Sequence, residues 1–134
     1  MAKSPRVFDS WALMAFLEDE PAADKIEEII AEAREAESDL LITTVNLGEI
    51  WYSLARVHSD ADAETAIALI LGLGFRIVDA DWALTQRAAK FKARHAIAYA
   101  DCFAAALADL RKVEVVTGDP EFKKLQGSVK VIWV

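Results

Sequence analysis

Apolar positions along this chain follow two alternating rhythms. Helical spacing governs Trp11 to Leu17, a stretch that stops near Glu20-Pro21 because proline disfavours helix in the residue before it. It returns in Asp24 to Ala36, where Ile26, Ile29, Ile30 and Ala33 form one stripe and glutamates occupy the other faces. The same spacing predicts helices over Val45–Val57, over Ala61–Leu71 up to Gly72, over about Trp82–Arg94, and over the alanine-rich Asp101–Arg111. Between them lie short apolar runs at Val7-Phe8, Leu40–Thr43, Phe75–Val78, Val113–Thr117 and Val129–Val134, each of which predicts a buried strand. Short strands alternating with longer helices predict an α/β domain: a mostly parallel central sheet flanked by helices. Ligand crevices in such sheets lie beyond the carboxyl ends of the strands. Asp9 and Asp119 both fall at such ends.

Length and composition narrow the class. The 134 residues fit a single domain, with residues 1–5 expected as a loose N-terminal tail. A hydrophobic content of 54% is enough for a substantial core. No apolar stretch approaches the roughly 20 residues of a membrane span, and the N-terminus lacks the apolar core of a signal peptide. The single cysteine, Cys102, excludes an intrachain disulfide framework, so the expected compartment is the cytoplasm. The net charge of −7 runs against nucleic-acid binding, which ordinarily requires a basic footprint. An acidic chain reaches phosphates through local basic patches or bound cations, or not at all.

Four carboxylates bear on that choice, and each alone has an ordinary explanation. Asp9 follows a strand and suits a helix N-cap. Glu49 falls in the first turn of the helix near Asn46, where it would complement the helix dipole. Asp101 stands at a helix start among alanines and aromatics. Asp119 precedes Pro120 after a strand, which fits an N-cap followed by proline at the first helical position. Jointly they read differently, because an α/β sheet gathers strand ends and helix starts on one edge. Ionised carboxylates brought together there repel unless cations neutralise them. Hard oxygen donors without competing nitrogen or thiolate favour Mg²⁺ or Mn²⁺, ions that serve phosphodiester hydrolysis. Other acidic groups act as controls: Asp81 fits a cap before Trp82 beside Asp79, Asp60 and Asp62 need only capping chemistry, and Glu18, Asp19 and Glu20 form a solvated run.

The four stretches "VFDSWALMAFLEDEP", "TTVNLGEIWYSLAR", "AIAYADCFAAALA" and "VVTGDPEFKKL" resemble, in order, the motifs of PIN-domain ribonucleases, and most closely those of VapC-type toxins of toxin–antitoxin modules. The resemblance runs from Val7 to Trp133. It implies an acidic quartet of Asp9, Glu49, Asp101 and Asp119 as Mg²⁺ or Mn²⁺ ligands, with Thr117 at the hydroxyl position and Ser10 and Asn46 as assisting polar groups. It also implies endoribonuclease activity on RNA, a homodimer and a cognate antitoxin as partner. The pattern departs at Trp11, a bulky ring where many members carry a smaller or polar residue.

The remaining groups carry weaker expectations. Arg56, Lys90, Lys92, Arg94, Lys123 and Lys124 are candidates for an RNA path, though each is first of all a surface charge. His58 and His95 lie outside the motifs, and Cys102 is expected to be buried and inert. Trp11, Trp51, Trp82 and Trp133 read as core or interface before base-stacking surfaces. Two other classes stay open: a phosphoryl-receiver-like domain, which the missing acidic neighbour of Asp9 and missing late lysine disfavour, and an inactive PIN scaffold serving protein interaction.

Overall fold

The computed structural model describes residues 4–134. Of the expected tail, residues 1–3 lie outside the described residues, and Ser4 and Pro5 precede the first strand without regular structure. Each of the five apolar runs forms a strand: β1 (Arg6–Phe8), β2 (Leu40–Thr43), β3 (Phe75–Val78), β4 (Glu114–Thr117) and β5 (Val131–Trp133). All pair in parallel, in the order β3-β2-β1-β4-β5. Parallel pairing requires a crossover between neighbours. Six α-helices supply most of the connecting structure: α1 (Ser10–Leu17), α2 (Ala23–Glu35), α3 (Thr44–Val57), α4 (Asp60–Gly72), α5 (Trp82–Arg94) and α6 (Tyr99–Arg111). A 3₁₀ helix, Pro120–Leu125, follows β4.

The period-two alternation of the strands divides the core between the two faces of the sheet. Val7, Leu41 and Val115 join Leu84, Phe91, Phe103, Leu107 and Phe122 on one side. Phe8, Leu40, Ile42 and Val116 join Leu13, Ile26, Ile30, Ile50 and Ile70 on the other. Phe8 is fully buried and meets Phe75 edge-on at 5.0 Å between centroids. Burying side chains of this size contributes about 1.5–3 kcal/mol each, which is why both faces of a short-stranded sheet must be covered.

Capping chemistry fixes where the helices start, and in three places it differs from the sequence expectation. The Thr43 hydroxyl accepts from the Asn46 amide at 3.0 Å, so α3 begins at Thr44 and Glu49 lies in its second turn, beyond the position that answers the dipole. The backbone at Ala98 is extended and no side chain caps α6, so Asp101 sits inside the first turn rather than capping it. Ser59, not Asp60 or Asp62, caps α4 by accepting from the Asp62 amide. Asp81 caps α5 as expected, accepting from Leu84 N at 2.9 Å.

Candidate active site

β1 and β4 are adjacent, and their register pairs Phe8 with Val116, which places Asp9 beside Thr117 just past the strand ends. Asp9 is fully buried and does two things at once. Its Oδ1 accepts from Ala12 N at 2.9 Å, capping α1, and its Oδ2 accepts a short hydrogen bond from the Thr117 hydroxyl. Thr117 in turn accepts from the Asp119 amide at 3.0 Å, and Asp119 caps the 3₁₀ helix by accepting from Glu121 N at 3.0 Å, with Pro120 at its first position. Capping and site membership are therefore the same geometry for Asp9 and Asp119.

Asn46 stitches the other motifs together. Fully buried, it accepts from the Thr43 hydroxyl at 2.6 Å and donates through Nδ2 to Ser10 Oγ at 3.2 Å and to the Ala100 carbonyl at 3.1 Å. Ser10 closes the loop by donating to the Asn46 carbonyl at 3.2 Å. Ser10 neighbours Asp9, Ala100 neighbours Asp101, and Glu49 lies three residues beyond Asn46 on α3. One amide thus fixes the relative placement of three acidic positions.

Electrostatics tie the acidic positions together through Asp9 and Asp101. Burial pushes the Asp9 carboxyl up from 3.8 to about 7, against the lowering effect of the Thr117 and Ala12 hydrogen bonds; the charges of Asp101 and Asp119 add to the rise. Asp101 is likewise pushed to about 7, by burial first and then by the charges of Asp119, Glu49 and Glu121. Among the described residues, Asp9, Glu49, Asp101 and Asp119 form no ion pair with lysine or arginine, whereas Asp109 is held by Arg87. Glu121, two residues after Asp119, is the group sequence reasoning missed; its place in the first turn after the Asp119 cap was the available signal. Among the described residues, no three His, Cys, Asp or Glu side chains form a ready-made metal cage. The donors present are carboxylate oxygens, the kind a hard divalent cation takes, and Asp101 feels the charges of Asp119 and Glu49.

A cleft of about 830 Å³ opens on this cluster. Glu49, Asp101 and Asp119 line it together with Trp11, Met14, Pro21 and Val134 and the further carboxylates Glu18 and Glu20, whereas the fully buried Asp9 does not reach its wall. Trp11 therefore belongs to the cleft wall rather than the core. Cys102 is fully buried and burial pushes its thiol up to about 11, so it is inert. His58 caps the end of α3 and lies 3.6 Å from Glu18, and His95 caps α5 against the Phe91 ring; neither enters the cluster. Of the basic candidates, Arg56 lies over the Tyr52 ring, whose hydroxyl donates to Glu49 at 3.4 Å. Lys92 and Lys124 instead bind the carbonyls of Ile97 and Ala96 ahead of α6. Lys90 and Arg94 line a separate, smaller cavity, and Lys123 is exposed. Trp82 is 70% exposed, while Trp51 donates to Glu64 at 3.0 Å.

Comparison with known proteins bears on this geometry. No curated protein matches the chain. Among solved structures, VapBC2 from Rickettsia felis, bound to a promoter DNA fragment, is similar with a TM-score of 0.75 at 13% identity, over 97% of this chain and 98% of that one. Mycobacterium tuberculosis VapC20, a toxin that cleaves the sarcin-ricin loop, gives 0.73 at 17% identity, over 90% and 95%. FitAcB from Neisseria gonorrhoeae gives 0.69 at 19% identity, over 95% and 96%. At these identities the likeness establishes the fold. The PIN domain family model matches residues 6–128, nearly the whole chain, and on that match the protein belongs to the PIN domain family.

Proposed function

We propose that this protein is a divalent-cation-dependent endoribonuclease and the toxin of a toxin–antitoxin pair. The observation that carries the reading is the gathering of Asp9, Glu49, Asp101 and Asp119 at one sheet edge, where among the described residues none of the four forms an ion pair with lysine or arginine. Such a cluster is costly to ionise and is stabilised by a cation. Asp9, Glu49 and Asp101 are the proposed ligands, with Asp119 completing the set. When bound, Mg²⁺ or Mn²⁺ would supply positive charge for the phosphate and a more acidic water as nucleophile.

The chain's own residues prepare the site for that chemistry. Thr117 and the Ala12 amide hold both oxygens of Asp9, which leaves the carboxylate little rotational freedom. Asn46 holds Ser10 and Ala100 in fixed relation, so the neighbouring acids keep their spacing. One carboxylate oxygen of the quartet takes up the proton of the attacking water. Arg56, stacked over the Tyr52 ring whose hydroxyl donates to Glu49, is the proposed basic contact for an RNA phosphate.

The partners belong to the same proposal. A structural neighbour from Klebsiella pneumoniae is a toxin–antitoxin complex, which supports an antitoxin for this chain. Exposed Trp82, Tyr99 and Val57 offer apolar surface for antitoxin or homodimer contact. Among the described residues no helix is long and apolar enough to cross a membrane, which accords with a cytoplasmic site of action. Cleavage of a mixed RNA pool tests the activity: it is expected with Mg²⁺ or Mn²⁺ and lost with EDTA or Asp9→Asn. Equal cleavage under all these conditions would rule the mechanism out.

A further inference from the structure

The cleft is built for more than a phosphate. Besides the carboxylates of the cluster, its lining includes the Trp11 indole, 37% exposed, with Met14 and Pro21. Gly118 shows that the ring's position is accommodated by the site itself. A Cβ at Gly118 would overlap Cη2 and Cζ3 of Trp11 and approach the Val134 carbonyl oxygen to 2.7 Å. Gly118 is not one of the glycines at positive φ, so the backbone does not demand glycine there; the indole does. The ring is thereby seated against the loop that presents Asp119, the next residue.

What meets the Trp11 ring follows from what it must be attached to. A phosphodiester at the carboxylates carries ribose and base on either side, and Trp11 lines the same cleft as Asp101 and Asp119 and abuts Gly118, the residue before Asp119. Glu18 and Glu20 also line the cleft and disfavour a second phosphate beside the ring. The neutral, planar group left to meet it is a base, and aromatic side chains bind unpaired bases by stacking. We infer that the Trp11 face, seated against Gly118, is a subsite for one unpaired nucleobase flanking the scissile phosphate. The inference rests on the nuclease reading above for the identity of the polymer.

Binding of a fluorescein-labelled single-stranded RNA octamer tests it, with Ca²⁺ replacing Mg²⁺, beside the same octamer stripped of its bases. Trp11→Ala is expected to weaken the intact octamer by about 5- to 150-fold, the range equivalent to stacking of one base. The baseless octamer should bind wild type and variant alike. Trp11→Phe should keep most of the affinity, and Gly118→Ala, which displaces the ring, should lose it selectively for the intact octamer. Unchanged binding of the intact octamer by Trp11→Ala, or equal losses for both probes, would overturn the subsite; a cleft that serves a protein partner gives the former. Cleavage with Mg²⁺ is measured in parallel on wild type. Its absence counts against the nuclease reading, whereas the base-dependent loss in Trp11→Ala decides the subsite separately.

Discussion

Replacing Asp9 by asparagine should raise the stability of the cation-free protein relative to wild type as the pH climbs from 5 to 8. The substitution keeps the shape and the α1 cap, since asparagine caps helices as well as aspartate does, and its loss of the acceptor for the Thr117 hydroxyl is the same at every pH. It removes a buried charge. The folded-state pKa of Asp9, about 7, lies above its ordinary 3.8. Between roughly pH 4 and 7 the folded protein therefore holds a proton that the unfolded chain has released, and stability falls as pH rises through that window. Each pH unit of the shift is worth about 1.4 kcal/mol. From pH 5 to pH 8 the penalty in wild type grows by about 3 kcal/mol, because it stops growing near pH 7. Asp9→Asn has no such titration, so its stability relative to wild type should improve by that amount over the same interval. The corresponding gain in Tm is about 10 °C for a domain of this size. Thermal unfolding in EDTA at pH 5 and pH 8, followed by circular dichroism, reads this directly. A stability difference between variant and wild type that does not change with pH would refute the buried, proton-holding state of Asp9.

Three further outcomes follow from the same geometry. Adding Mn²⁺ should raise the Tm of wild type more at pH 8 than at pH 5, where Asp9 and Asp101 retain protons; an equal rise at both would detach metal binding from these groups. Asn46→Ala leaves the Thr43 hydroxyl and the Ala100 carbonyl without their side-chain partner, at a cost of about 3 kcal/mol in urea unfolding. A loss below about 0.5 kcal/mol would show that the network does not hold the site together. Lys92→Ala and Lys124→Ala together should free the carbonyls of Ile97 and Ala96 and speed hydrogen exchange at the start of α6, while each change alone does less; unchanged exchange in the double variant would contradict their pinning role.

Much of this was legible in the chain because the signals are local. Leu40–Thr43 and Phe75–Val78 are short, largely apolar runs that became strands with the expected bounds, while Val113–Thr117 and Val129–Val134 formed the shorter strands Glu114–Thr117 and Val131–Trp133. Asp9 and Asp119 were readable as caps after strands, and the parallel sheet then placed them on one edge. What was not legible depends on tertiary register. Glu49 looked like a first-turn residue until the Thr43 cap moved the start of α3 upstream. Asp101 looked like a cap until the extended backbone at Ala98 moved the start of α6. The Thr43–Asn46–Ser10–Ala100 network joins three separate segments, and Gly118 has meaning only once Trp11 is seen against it. Neither the 3.6-residue nor the two-residue period carries that information.

Asp101 faces the charges of Asp119, Glu49 and Glu121, so a cation held by the acidic cluster should depend on it. Calorimetric titration of Mn²⁺ at pH 8 into wild type and Asp101→Asn reads that dependence. Wild type should bind saturably and Asp101→Asn about tenfold or more weakly, since a carboxylate ligand is removed at a site already rich in charge. Equal Mn²⁺ affinity in the two proteins, or no saturable binding by wild type, would leave the acidic cluster without a cation role.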